Sequence, residues 1–422
     1  MDENIEYEEA LNKLKKYNQV HLLDRYEYLI DEKKENIIKQ IKNIDFEQIK
    51  ELYNNREKKI DKDENQITNI NYVDKSKLSK EEYNKYYELG RKEIEEGKYA
   101  VVTMAGGQGT RLGYVAPKGT FKIGGGIDKS LFEALSDTIK EAKKKYNVNI
   151  PWYIMTSREN NNATEKFFEK HDFFGLPYED VKFFKQGELP MVNTDGKLFL
   201  DESGIIKLAA DGHGGVFESL YKNGYIEDMK KRGIEWVFIS GVDNVLAGLV
   251  DPIALGLSID RGTLATGKSV VKRNPSERVG VFCKKNNRPY VIEYTEITDR
   301  MANERDSNGE LIYGESHILT NLFNIKALEN ISHNKLPYHS AFKKVKYMDK
   351  DGNIIKPEEP NGYKFESFIF DAFETLDDMS ILRVKREDEF APLKNADGED
   401  SPNTATKLYI DFMDRKKKGL IK

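Results

Sequence analysis

The stretch AGGQGTRLGYVAPKG, residues 105–119, sets Gly106, Gly107 and Gly109 within reach of Arg111 and Lys118. Glycines without a Cβ let backbone N–H groups close on an anion, and the two cations add fixed positive charge. That chemistry suits a polyphosphate. A tight strand-to-helix turn explains the glycines but not an arginine and a lysine in the same loop. Two nucleotide motifs compete with this reading. The dinucleotide fingerprint GxGxxG fails because Leu112 stands where the third glycine belongs. GTLATGKS, residues 262–269, satisfies the Walker A pattern letter by letter. A P-loop needs a strand before it and a helix after it. Here Pro252 opens a helical stretch upstream and the β-branched SVVKRNP comes after, so the spacing predicts a turn between a helix and a strand.

Other polar positions fall just after apolar runs. Asp243 and Asn244 follow WVFISGV, where a carboxylate suits Mg2+ beside a triphosphate or, equally, a turn or a helix cap. In ADGHGGVFESL, Gly212, His213, Gly214 and Gly215 precede a helix and allow close backbone contact with a flat base or sugar. His213 reads otherwise as a structural hydrogen-bonding residue, with no second His at metal-ligand spacing. On pattern alone Phe368 and Phe370 of KFESFIFDAF are core residues. REDEFAPLKNADG carries one cationic reach, Lys394.

The elements that must position these residues alternate. YAVVTMA runs into the glycine loop and SLFEALSDTIKEAKKKY comes next as an amphipathic helix, with Ser130 and Glu133 at capping-box spacing. PWYIMTS, TEKFFEKH, VKFFKQG, ESLYKNGYIEDMKKRG and EWVFISGVDNVL continue the alternation. The pattern predicts an α/β fold with a mostly parallel central sheet flanked by helices and ligands at the carboxyl ends of its strands. RVGVFCKKNNRPYVIEYTEI predicts an antiparallel hairpin turning at Asn286 and Asn287. Residues 1–97 read as an N-terminal helical region, in which Ser79 and Glu82 form a capping box and Gly97 ends a helix. Residues 98–400 form the α/β catalytic domain and residues 401–422 a C-terminal helix.

Bulk composition excludes several classes. The 422 residues are 38% hydrophobic and 11% aromatic, which suits a globular chain rather than a disordered one. Charge balances near zero, at −5, which argues against nucleic acid as the main partner. The single Cys283 leaves no intramolecular disulfide and no Cys-based zinc site, and fits a reducing compartment. The N-terminus shows no apolar signal core, and no run approaches the roughly 18 apolar residues of a membrane span. A cytoplasmic protein with no membrane partner is expected, and a monomer.

Taken in order, AGGQGTRLG, PKG, FFKQG, DGHGG, VDN, VGVF, EYTEI, LPYH, ESFIFDAF and EDEFAPLKNAD resemble the UDP-N-acetylhexosamine pyrophosphorylases of the eukaryotic-type UDP-sugar pyrophosphorylase family, from about Val101 to Ala405. The resemblance implies a Rossmann-like nucleotide-diphospho-sugar transferase fold and transfer of uridylyl from UTP to a sugar 1-phosphate, with Mg2+. It places Ala105, Gly106 and Gly107 on the nucleotide, and Arg111, Lys118 and Lys394 on phosphates. Gln186, Gly212 and His213 would meet the uracil end and Asp243 the metal. Gly280, Glu293, Asn321, Phe368 and Phe370 would line the sugar pocket. The implied sugar is N-acetylglucosamine 1-phosphate. His213 departs from the Asn usual in that branch and looks more like glucose-using or broad-range enzymes, so glucose 1-phosphate or a broad sugar range stands as the alternative. The sequence also ends soon after Lys394, where family members often continue into a small C-terminal domain. A nucleotide-sugar-binding regulator without chemistry is the alternative from another class, and the joint presence of Arg111, Lys118, Asp243 and Lys394 argues against it. A P-loop NTPase acting through Lys268 is a third, and predicts nucleotide hydrolysis without any sugar phosphate.

Overall fold

Strands covered on both faces have no polar side to show, and Tyr99–Met104, Trp152–Thr156 and Trp236–Gly241 are buried at every position. The computed structural model describes residues 3–57 and 66–421. In it an 11-stranded sheet is built from β1 (Ile67–Thr68), β2 (Val73–Asp74), β3 (Tyr99–Met104), β4 (Trp152–Thr156), β5 (Val181–Lys185), β6 (Trp236–Gly241), β7 (Ala265–Val271), β8 (Val281–Lys285), β9 (Arg288–Ile292), β10 (Glu315–Asn324) and β11 (Ser380–Arg383). The main path runs β2-β11-β7-β10-β6-β3-β4-β5. Strands β6, β3, β4 and β5 pair in parallel, as do β7, β11 and β2; along this path β10 runs against its neighbours β6 and β7. The expected α/β class and mostly parallel sheet are therefore present. The hairpin β8–β9 joins the sheet edgewise through β1 and β10 and turns at Asn286 and Asn287, whose φ values of 51° and 63° suit the asparagines there.

Packing divides the chain into two compact units: Met1–Ile60, Gly187–Gly214 and Leu336–Phe368 in one, and Asp61–Gln186, Gly215–Lys335 and Ile369–Lys422 in the other. The sheet lies wholly in the second unit. Helices Leu131–Tyr146 and Asn161–Lys170 bury Phe132, Leu135, Ile139 and Phe168 against Val101, Trp152, Ile154 and Phe238. Helix Lys80–Glu95 carries the expected Ser79–Glu82 capping box and packs so closely on helix Pro252–Arg261 that a Cβ on Gly90 would lie 2.0 Å from the Pro252 carbonyl oxygen.

In the first unit, helices Glu3–Lys16, Asp31–Asn43 and Phe46–Asn55 bury Leu14, Ile37, Ile41 and Phe46 with Val192, Leu198, Ile206 and Phe365. Two buried glutamines bind distant backbone there. Gln40 donates to the Ile206 carbonyl at 2.9 Å and accepts from its N–H at 2.9 Å, while Gln19 donates to the Gly196 carbonyl at 2.8 Å and accepts from the Leu198 N–H at 3.0 Å.

These groupings cut across the expected boundaries at 97 and 400. Helix Lys80–Glu95, strands β1 and β2, and the C-terminal helix Pro402–Lys417 all belong with the sheet, while residues 187–214 and 336–368 join the first helices. The short strands β1 and β2 are two residues each, too brief to leave a periodic signal. Residues 58–65, part of the expected helical region, lie outside the described residues.

Candidate active site

Because β3, β4, β5 and β6 are parallel and in register, with Met104 opposite both Met155 and Gly241 and Met155 opposite Phe184, their carboxyl ends share one edge of the sheet. The residues just beyond those ends are Ala105–Gly107, Ser157–Asn160, Gln186 and Asp243. This is the edge at which parallel α/β sheets receive ligands.

The glycine loop is held from beneath by an asparagine. Asn160, fully buried, donates to the Ala105 carbonyl at 2.9 Å and the Gly107 carbonyl at 3.3 Å, and accepts from the Ser157 N–H at 2.8 Å. Gln186 lies against the loop: a Cβ on Gly106 would sit 2.8 Å from its amide atoms. Gly107 is the open position, with no atom within 4 Å of a Cβ placed there. Arg111 sits on the turn Thr110–Leu112, exposed, and makes no ion pair within the described residues. Lys118 begins the turn Lys118–Thr120, its N–H donating to the Gly107 carbonyl at 3.1 Å. That turn lies flat on helix Leu131–Tyr146, since a Cβ on Gly119 would meet the Phe132 ring at 2.2 Å. The loop thus presents a backbone cradle and two cations from one continuous segment.

Lys118 reaches across to the end of β6, where its ammonium lies 3.3 Å from the Asp243 carboxylate. Burial opposes ionisation of Asp243, but the positive charges of Lys118 and Lys394 overcome it and hold the carboxyl below its usual range. Asp243 is therefore an anion at neutral pH, flanked by two lysines from distant segments. No cluster of three or more His, Cys, Asp or Glu side chains able to hold a metal occurs among the described residues. One ionised carboxylate is nevertheless the donor set that fits Mg2+ arriving with a triphosphate, since that ion keeps waters and takes its remaining ligands from phosphate oxygens.

Of the residues expected at the sugar, Gly280, Glu293, Asn321 and Phe370 lie within the same unit. A Cβ on Gly280 would lie 3.0 Å from the Glu293 carboxylate, so the two are adjacent. Asn321, on β10, is 1% exposed and meets the His317 ring nitrogen at 3.2 Å. His317 in turn meets the edge of Phe370 at 5.8 Å between ring centres. Phe370 is buried, in keeping with a core residue. Gly212, His213 and Phe368 belong to the other unit. There the space that Gly212 and Gly214 leave is filled by backbone: a Cβ would fall 2.2 Å from the Ser367 carbonyl oxygen in one case and 2.7 Å from the Phe368 nitrogen in the other. His213 and His339 both lie against the Phe368 ring, at 5.3 and 4.8 Å.

Sequence reasoning missed Asn160, His317 and His339: although Asn160 and His317 also bond the nearby Ser157 and Asn321, their contacts with Ala105 and Gly107, with Phe370 and with Phe368 join separate segments and leave no local spacing to read. It was right about the Walker-like stretch. Gly262 ends helix Pro252–Arg261 in a left-handed conformation (φ 65°), and Gly267, Lys268 and Ser269 lie inside β7. Lys268 is 1% exposed and spent on Asp251 at 2.6 Å and Glu389 at 2.9 Å.

Residues 44–402 match the family model of UTP–glucose-1-phosphate uridylyltransferase. The chain belongs to that family. Among curated relatives, it is 40% identical over 343 residues to UDP-N-acetylglucosamine pyrophosphorylase of Saccharomyces cerevisiae, covering 78% of this chain and 71% of that one. It is 34% identical over 422 residues to a probable UDP-N-acetylglucosamine pyrophosphorylase of Dictyostelium discoideum, covering 94% and 86%. Against the UDP-N-acetylhexosamine pyrophosphorylase-like protein 1 of Xenopus tropicalis the match spans 66% of that relative's length. Of solved structures, the uridine diphosphate N-acetylglucosamine pyrophosphorylase of Trypanosoma brucei, with an inhibitor bound, superposes with a TM-score of 0.82 at 29% identity over 97% of this chain and 85% of that one. A putative UDP-N-acetylglucosamine pyrophosphorylase of Entamoeba histolytica gives 0.75 at 36% identity over 82% and 88%. Among the described residues no helix is long and apolar enough to cross a membrane.

Proposed function

We propose that this chain makes UDP-N-acetylglucosamine and pyrophosphate from UTP and N-acetylglucosamine 1-phosphate. The observation that carries the reading is the convergence of Lys118, Asp243 and Lys394 near a glycine loop that is open at Gly107, at the carboxyl edge of the sheet. Relatives named for this activity, at 33–40% identity, supply the sugar.

The chemistry asks little of an acid or base. A phosphate oxygen of the sugar 1-phosphate, already anionic, attacks the α-phosphorus of UTP; the bond to the α–β bridging oxygen breaks and pyrophosphate leaves with its electrons. No proton need move. What the protein supplies is alignment and charge. Gly106, Gly107 and the adjacent Ala105 and Gln186 hold the nucleotide, Arg111 and Lys118 meet the charge that gathers on pyrophosphate, and Lys394 meets the attacked phosphate or the sugar phosphate. Gly280, Glu293, Asn321 and Phe370 shape the sugar pocket. Asp243 would hold Mg2+, which would supply positive charge to the phosphates.

The test is pyrophosphate release from UTP and Mg2+ with a panel of sugar 1-phosphates. The reading expects N-acetylglucosamine 1-phosphate to give the highest kcat/KM. Highest activity with glucose 1-phosphate would overturn the sugar assignment, and nucleotide hydrolysis without any sugar phosphate would overturn the reaction.

A further inference from the structure

We propose that Asn244 is a positioning residue that sets the register of the segment carrying Lys394 against the loop carrying Asp243. The inference rests on the phosphate role given to Lys394 above. After the helical turn Arg386–Glu389, residues 389–393 lie antiparallel along residues 243–245. The Leu393 N–H donates to the Asp243 carbonyl at 2.9 Å, and the Val245 N–H to the Ala391 carbonyl at 3.3 Å. Directly opposite Asn244 stands Pro392, in a non-hydrogen-bonded pair, so its missing N–H costs the ladder nothing. The Asn244 side chain adds two further bonds. Its amide donates to the Glu389 carbonyl at 2.7 Å and accepts from the Ala391 N–H at 2.9 Å, so one side chain grips two residues of the incoming segment. It is 3% exposed, so both bonds are made out of solvent.

The segment is anchored at its upstream end as well. The Glu389 carboxylate lies 2.9 Å from Lys268 and 3.5 Å from Lys75. Downstream, the Lys394 N–H donates to the Asp400 carbonyl at 2.6 Å, while its ammonium is loosely held, 3.9 Å from the Asp400 carboxylate and 43% exposed as a side chain. Lys394 thus has a fixed backbone and, among the described residues, a head held only by the Asp400 carboxylate and the face of Phe390, 5.6 Å from the ring centre. A slip of one residue along such a ladder moves a side chain by about 3.3 Å and turns it to the other face. Misplacement by even about 1 Å can cost on the order of 10²-fold in rate. Asp243 would be less affected, since β6 and the Lys118 ion pair hold it independently.

A double-mutant cycle distinguishes positioning from a general structural role. Asn244→Ala, Lys394→Ala and the double variant are compared for kcat, KM for UTP and melting temperature. Asn244→Ala is expected to lower kcat by roughly 10²-fold with KM for UTP nearly unchanged. The double variant should be no slower than Lys394→Ala alone, because the clamp then has nothing left to place. Independent losses that multiply in the double variant would overturn the inference. If Asn244→Ala does not fold, Asn244→Asp, which keeps the acceptor and loses the donor, enters the same cycle with the same expectation. A near-normal rate for Lys394→Ala would remove the phosphate role of Lys394 itself, and would be seen before the cycle is closed.

Discussion

Two glycine- and lysine-bearing stretches of the same sheet unit, residues 106–118 and 262–269, meet opposite fates. The second matches a nucleotide motif letter by letter, yet its lysine is inside a strand and neutralised by two carboxylates. The first matches no complete motif, yet leaves Gly107 open, Arg111 exposed and Lys118 facing an ionised aspartate. The difference lies in the path the chain takes beyond each glycine. A strand after Gly262 turns Lys268 into the core, where an ammonium survives only by pairing. After Gly107 the chain turns at Thr110–Leu112 and again at Lys118–Thr120, staying at the edge of the sheet, the place proposed for the phosphates. Phosphate binding depends on where the backbone goes, and the letters alone do not record that.

The largest expected effect falls on the cations. Arg111→Ala and Lys394→Ala should each lower kcat by roughly 10²–10³-fold, about 2.7–4 kcal/mol of transition-state stabilisation, with the melting temperature unchanged. Steady-state rates and a thermal melt check this, and a rate near that of the parent protein would break the contrast. Lys268→Ala should behave the other way round. Leaving Asp251 and Glu389 to Lys75 alone, at 3.6 and 3.5 Å, should cost about 3 kcal/mol, read as a lowered urea midpoint, while KM for UTP in the folded protein stays put. A raised KM with no loss of stability would restore the P-loop reading. The smallest effects separate the glycines. Gly107→Ala meets no protein atom and should leave stability alone, but weaken UTP binding by about tenfold, roughly 1.4 kcal/mol by calorimetry. Gly262→Ala, at φ 65°, should cost about 1 kcal/mol of stability and leave UTP affinity intact.

Much of the sheet was legible because its signals are local. Buried strands such as Tyr99–Met104 read as unbroken apolar runs, Ser79 and Glu82 form their capping box, and Asn286 and Asn287 turn their hairpin. Ser130 caps its helix as expected, accepting from the Glu133 N–H at 3.1 Å. The grouping of residues 187–214 and 336–368 with the first helices was not legible, since it rests on contacts such as Gln40 with Ile206, separated by 166 positions. Within the site, Gly106, Lys118 and Asp243 could be picked out by type and place after strands. Asn160 and the clamping role of Asn244 could not. Each works by binding the backbone of a distant segment, and an asparagine does this without any spacing that a sequence would reveal.

The most direct test of the account is a crystal structure of the protein with UTP. The account predicts triphosphate density against the backbone of Gly106–Gly109, within reach of Arg111 and Lys118 and on the Asp243 side of the loop. Density for the triphosphate at Gly262–Ser269, or an empty glycine loop in a UTP-bound protein, would contradict it.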